Sequence, residues 1–529
     1  MINKPEKLIS NWMSKINKNE WVIFCISILS GIMIHFQLLA TQVTNPDVVW
    51  TAPIINGHAW EIALGRWGIP IIDKWRQNMV LPLLTSVVVI IILSIITLLF
   101  LRLFRIKGIF TGSLIAILIM AFPTFGETLT YFYCADSYLF SMLLSVIGVI
   151  IVYHHKKDRG IKSFLFATAL FTISLGIYQS FIGISIAIVY LMILSDILFD
   201  RKTIKECFQL LVRFSISLLV SLGLYFIIAN IVRNITHIDT ASYRGMNEIG
   251  IKSLKELFYI LGRTFKEFFS FFFGQNIFNN NFWYLKWLNI GVFIIITIII
   301  TNNIFGKIKK KRLLEGIILG VGYILIPVVF EAIIFIASDT SISYLMVPQM
   351  IFIYIWGISI FEENIVMKVE NALNWLMIIL LVLIGTKYIQ IDNAMYYSLQ
   401  ISYDKTYSVA NDICNKLQSY PDFKYSEQQI AILGNFYYGN YAERNYKLLE
   451  AVNNTVGSTG WLWLNDPLVS QQSWYYFIGR YKGITINYCN DLELLYNIMN
   501  SDEYKEMNNF PDDNSIKMVK GVLVVKLSN

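Results

Sequence analysis

The chain has 529 residues, 56% of them hydrophobic and 15% charged, with a mean hydropathy of +0.55; this is more apolar surface than a water-soluble domain buries, so a lipid bilayer is the expected solvent. The net charge of +7 does not indicate a nucleic-acid partner, because Lys and Arg fall in short clusters between apolar runs and read as topology signals. Cys25, Cys134, Cys207, Cys414 and Cys489 form no C-x-x-C pair and there are five histidines, so neither a zinc site nor a thiol redox pair is expected.

A membrane-spanning helix needs about 20 apolar residues to cross roughly 30 Å of hydrocarbon. In chain order, eleven segments qualify: Trp21 to Ala40, Met79 to Leu101, Ile109 to Phe125, Ser137 to Tyr153, Ser163 to Tyr178, Phe181 to Phe199, Cys207 to Val232, Trp287 to Phe305, Leu313 to Ala337, Leu345 to Phe361 and Ala372 to Tyr388. The first has no small-residue cleavage site after it and is expected to remain as a signal anchor. Basic residues fall in every second connection. Lys4, Lys7, Lys15 and Lys18 precede the first segment, Arg102, Arg105 and Lys107 follow the second, and Lys156, Lys157, Arg159 and Lys162 follow the fourth. Arg201, Lys202 and Lys205 follow the sixth, and a run from Lys307 to Arg312 follows the eighth. The connections Thr124 to Asp136 and Ser338 to Tyr344 carry no Lys or Arg. Under the positive-inside rule this alternation places the N-terminus in the cytoplasm and the C-terminus outside.

Two connections on the outer side are long enough to carry function, Thr41 to Asn78 and Arg233 to Lys286. In the first, Trp60, Ala63, Leu64, Trp67 and Ile71 follow helical spacing, which predicts a helix on the membrane surface, interrupted by Pro70, with Glu61 and Arg66 near the headgroups. In the second, Ile251 to Phe273 sets Lys252, Lys255, Arg263 and Lys266 against an apolar, Phe-rich set and also reads as interfacial. After Tyr388 the composition turns polar. Helical patterns near Tyr396 to Leu417 and Leu492 to Met507, a strand at Ile430 to Leu433 and a terminal hairpin in Val519 to Leu527 predict a compact α/β domain. Cys414 and Cys489 share it, and an oxidising compartment permits a disulfide there without spacing deciding it. The expected organisation is a polytopic α-helical membrane domain over residues 1–388 and an extracytoplasmic α/β domain over residues 389–529. No P-loop, G-x-G-x-x-G string or internal repeat occurs, so no nucleotide cofactor is expected.

Ionisable groups at the membrane are costly unless paired or solvated, and they mark candidate sites. On the outer side these are Asp47 in Asn45-Pro46-Asp47, Glu61, Arg66, Glu127, Asp136 and Glu331, the last about 18 residues into its segment and so roughly 27 Å from the cytoplasmic end. Carboxylates facing one side suit a general base for an acceptor hydroxyl, with Arg opposite a departing phosphate. Asp47 and Asp136 read equally as caps, loop charges or ion-pair partners.

The strings Ala63-Leu64-Gly65-Arg66-Trp67, Phe122-Pro123-Thr124-Phe125, Tyr133-Cys134-Ala135-Asp136-Ser137-Tyr138 and Ser174-Leu175-Gly176-Ile177-Tyr178-Gln179-Ser180, with the ending Pro511 to Leu527, resemble the Gtr-type glucosyltransferases of bacterial O-antigen modification. The resemblance implies a class C glycosyltransferase of the bacterial cytoplasmic membrane. Such an enzyme takes a sugar from a polyprenyl-phosphate carrier to a surface glycan, usually with inversion. It assigns Asp47 as the acid of the first outer loop and Asp136 as its partner. Arg66 is then the candidate for the donor phosphate, with Arg244 a second, and Tyr178 and Gln179 the candidates for sugar hydroxyls. Tyr178 also reads as a belt aromatic. No Asp-x-Asp pair or His cluster occurs in the first outer loop, so a metal-independent reaction is expected. A carrier or flippase for lipid-linked sugars would also need many spans, but predicts repeated halves and midplane polar sites. A surface assembly or sensing protein would need fewer spans.

Overall fold

The computed structural model describes residues 17–41, 43, 57–154, 160–241, 253–274, 283–336, 344–364, 368–434 and 467–528. Most of the chain up to residue 418 is helical. The long helices are α1 (Lys18–Ile34), α2 (Pro82–Leu103), α3 (Ile109–Met120), α4 (Pro123–Leu129), α5 (Ala135–Tyr153), α6 (Gly160–Ile177), α7 (Ile182–Leu198) and α8 (Ile204–Thr236). They continue with α9 (Leu254–Phe273), α10 (Trp283–Lys309), α11 (Leu313–Ile324), α12 (Phe352–Asn364) and α13 (Lys368–Gln418). Three of them open on the same local device. Asn17, Thr203 and Ser253 each accept from the backbone N–H three residues on, where Glu20, Glu206 and Glu256 reach back to the cap, so two orphan donors are satisfied at each start.

Among the described residues, seven helices are long and apolar enough to cross a membrane, and α3 with α4 makes an eighth bent by 50°, at Pro123, whose ring cannot continue a helix. The remaining three of the eleven apolar segments are helical but broken. The first divides at His35 into α1 and Phe36–Thr41. The ninth divides into α11, Ile326–Phe330 and Ile333–Ile336, and the tenth opens on two short 3-10 turns before α12. Hydroxyls join the bundle. Ser141 bonds Ser174 at 2.9 Å, Ser145 bonds Ser185 at 2.6 Å and Thr168 bonds Ser217 at 2.9 Å, linking α5, α6, α7 and α8 with small polar groups that let apolar helices approach.

α13 runs for 51 residues without a break, through residue 388, where composition alone places the domain boundary. Its first part, from Met377 to Leu399, packs in the core of the membrane bundle. Its last part, from Val409 to Leu417, packs in a second core under a four-stranded sheet. That sheet has the order β2 (Asn487–Tyr488), β1 (Gln429–Leu433), β4 (Val522–Lys526), β3 (Ile516–Val519). β1 is parallel to both its neighbours, and β3 and β4 form the terminal hairpin. Two helices complete it: α14 (Pro467–Lys482), which the sequence pattern does not suggest, and α15 (Leu492–Met499), which lies within the helical pattern read at Leu492 to Met507. β2 is too short to reach Ile432, and Gln471 of α14 takes its place, accepting from Ile432 N at 2.8 Å and donating to Ile432 O at 2.6 Å. Cys414 and Cys489 are free thiols in separate apolar clusters.

Candidate active site

The starts of α5 and α7, the end of α6 and the C-terminal half of α8 meet the segment 57–81 at one end of the bundle. This segment is not one surface helix. It forms two short helices, Ala59–Ala63 and Ile69–Asp73, and a 3-10 turn at Lys74–Arg76. The break falls at Gly65, not at Pro70, which instead sits in the first turn of the second helix, where its missing N–H has no helical partner to lose. Gly65 has φ +75° and a Cβ there would strike the Tyr225 hydroxyl, so both backbone conformation and space require glycine.

Gly68 N donates to Gly176 O at 2.7 Å, and the Trp67 indole lies where a Cβ on Gly176 would be. Gln179 Nε2 donates to Leu64 O and to the Tyr225 hydroxyl, each at 2.8 Å. Residues 64–68 are therefore docked on residues 176–179. Between them emerges Arg66. Its Nη1 donates to the Tyr138 hydroxyl at 3.0 Å, and its guanidinium lies 5.1 Å from the Tyr178 ring centroid. Tyr138 and Tyr178 stack with centroids 4.1 Å apart, forming an aromatic face that suits a planar cation. Arg66 Nε is buried and donates to none of the described residues.

Next to this lies a buried ionic cluster. Arg76 is in contact with Asp73, donates through Nη2 to Tyr133 O at 2.8 Å, and places Nε 3.3 Å from Asp136 Oδ2. Asp136 Oδ1 accepts from Ser137 N at 2.9 Å in the first turn of α5, where a negative charge meets the positive end of the helix dipole. His58 Nδ1 is 3.8 Å from Asp73 Oδ2. Burial pushes the Asp73 carboxyl up, opposed by the charges of Arg76 and His58. Asp73, Arg76 and Asp136 are all nearly inaccessible, so each charge depends on the others for solvation.

The family model Glucosyl transferase GtrII matches residues 51–354, more than half of the chain and all of the cluster just described. The chain belongs to the GtrII glucosyl transferase family. No curated protein matches it, and no solved structure does. A GtrII protein is a glycosyltransferase, and the long apolar helices make this one a membrane protein.

Within the GtrII region the structure brings together Glu61, Arg66, Asp136, Tyr178 and Gln179. Glu61 is buried in protein, on the turn before Arg66, and its charge bears on Asp73. Gln179 is committed to the Leu64 backbone. Glu127 is buried on α4, and Glu331 lies elsewhere, at the break after Ile326–Phe330, facing α9. Asp47 and Arg244 lie outside the described residues. Sequence reasoning passed over Asp73, Arg76, His58 and Tyr138. Asp73 and Arg76 stand three residues apart, which on a sequence reads as an ordinary solvated pair. The available signal was their position in a loop otherwise rich in apolar and aromatic residues.

Proposed function

We propose that this GtrII protein transfers a glucosyl group from a polyprenyl-phosphate donor to an envelope polysaccharide or lipid-linked glycan. The reaction takes place at the outer face of the bacterial cytoplasmic membrane, with the N-terminus inside and the C-terminal sheet outside. The observation that carries this reading is the family match across the whole Arg66 cluster. The acceptor hydroxyl oxygen attacks the anomeric carbon while the bond from that carbon to the donor phosphate oxygen breaks, inverting the centre. The hydroxyl proton passes to a carboxylate, and polyprenyl phosphate leaves. Asp47 is the proposed base. Asp136, with one oxygen facing Arg76, orients the acceptor side. Arg66 meets the charge growing on the phosphate: its Nε donates to none of the described residues and its face is fixed on Tyr178, so little reorganisation is needed when charge develops. No step requires a divalent ion.

The test is transfer of labelled sugar from polyprenyl-phosphate glucose to an extract of the host's surface polymers. Purified wild-type protein in lipid is compared with Asp47→Asn and Arg66→Ala. Transfer by wild type, with loss in folded variants, supports the reading. A broken segment with a buried acid, as at Glu331, is also what a carrier of lipid-linked sugars would use. Failure across a panel of donors and acceptors would move the reading there.

A further inference from the structure

We propose that the helix break at Glu331, together with Gln349, is a subsite that takes a pyranose by its hydroxyl groups; this rests on the sugar-transfer reading above. The ninth apolar segment should be a continuous helix by composition, yet it is interrupted at Leu325 and again at Glu331 and Ala332. Pro327 accounts for the first interruption, since it lacks an N–H and crowds the preceding turn. No proline accounts for the second. There the chain tightens to bonds spanning three residues, with Ile334 N on Glu331 O at 3.0 Å and Phe335 N on Ala332 O at 3.1 Å. Irregular backbone at membrane depth persists where it is buried in protein or lines a cavity.

Two buried acceptors stand beside this break without a donor among the described residues. Glu331 is 2% exposed and Gln349 1% exposed, and among the described residues neither Glu331 Oε2 nor Gln349 Oε1 receives a hydrogen bond. The amide orientation follows from its other end: Gln349 Nε2 donates to Phe330 O at 2.7 Å, on the residue before Glu331, which leaves the carbonyl oxygen as the open end. Buried acceptors without donors are costly. Their chemistry calls for a ligand that brings several neutral donors at once, as adjacent sugar hydroxyls do.

The surroundings fit a sugar carried on lipid. Gly183, in the first turn of α7 and four residues beyond Gln179, lies against Gln349, where a Cβ would be 3.2 Å from Nε2. The break therefore borders the elements that hold Arg66. On its other side stands α9, whose Arg263 and Glu267 lie 3.8 Å apart and within electrostatic reach of Glu331. α9 turns Ile260, Thr264, Phe268 and Phe272 inward and leaves Phe258 and Phe269 exposed beside Lys255 and Lys266, the pattern of a helix lying in the lipid interface.

The pyranose could be the donor's glucose or a sugar of the acceptor, and binding to the full-length protein in lipid separates them. The probes are polyprenyl-phosphate glucose, polyprenyl phosphate without sugar, and an oligosaccharide from the surface polymer. Glu331→Met and Gln349→Met, which each remove the buried acceptor, are expected to raise the Kd of one sugar-bearing probe about tenfold or more, the loss of a hydrogen bond to a buried acceptor. Binding of bare polyprenyl phosphate should be unchanged, and the affected probe names the source of the sugar. Unchanged affinity for both sugar-bearing probes would overturn the subsite. So would loss of bare polyprenyl phosphate in both variants, which would show that the residues hold the fold. Wild type that distinguishes neither sugar-bearing probe from bare lipid would overturn the subsite and the donor reading together.

Discussion

Arg66 and Arg76 are ten positions apart and do opposite work. Arg76 lies between the carboxylates of Asp73 and Asp136 and donates to two carbonyls, whereas Arg66 lies against the Tyr138 and Tyr178 rings and pairs with no carboxylate among the described residues. Removing Arg76 should therefore damage the fold first. Arg76→Met leaves two buried carboxyls uncompensated, and breaking a buried pair in this way costs about 3–5 kcal/mol. The loss should depend on pH with a definite sign. Burial raises the folded Asp73 carboxyl above its unfolded value of about 3.9, so its contribution to stability falls as pH rises through that interval. Without Arg76 the interval extends upward. Thermal unfolding of wild type and Arg76→Met, at mildly acid and at neutral pH, should show a deficit that is larger at neutral pH; an equal deficit at both would contradict the assignment.

At the scale of elements, the site depends on how residues 64–68 seat on the end of α6. Gly176→Ala puts a methyl into the Trp67 indole, and overpacking of this kind costs about 1–3 kcal/mol. The variant should unfold at lower temperature and transfer more slowly, and Trp67→Leu in the same chain should restore part of the stability, which a double-mutant cycle would measure. Both strings were legible as motifs in the sequence, and so was the membrane character. Their contact was not, because it joins residues more than a hundred positions apart through glycines whose value lies in what they make room for. Nor were the breaks at His35 and Glu331. A hydropathy window reports composition averaged over a turn or more, and a single residue that redirects the backbone leaves that average unchanged. The Asp73–Arg76 pair was hidden for a related reason: spacing shows that two charges can meet, while burial, which makes the meeting consequential, comes from α5.

For the whole molecule, the decisive element is α13, whose two parts belong to two cores. Its strand and hairpin neighbours in the C-terminal sheet could be anticipated from alternation, but the boundary could not, because polarity changes along α13 while its backbone does not. The tie to the bundle extends past residue 388. Tyr396 bonds His35 Nδ1 at 2.7 Å, and Asp392 lies where a side chain on Gly126 would be. A chain ended after Leu399 should accumulate in membranes nearly as wild type does, whereas one ended after Ile391 should not, as quantified by immunoblot of membrane fractions. Equal accumulation would mean that this stretch of α13 adds nothing to the bundle.

An unbroken helix also fixes an angle. At 3.6 residues per turn, one residue added between Leu399 and Val409 would rotate the C-terminal sheet by about 100° about the helix axis. Seven added residues would bring it back to within about 20° while raising it by about 10 Å. Residue count along α13 thus works as a protractor as well as a spacer. Transfer measured across a series of insertions should rise and fall with helical phase instead of declining steadily with length.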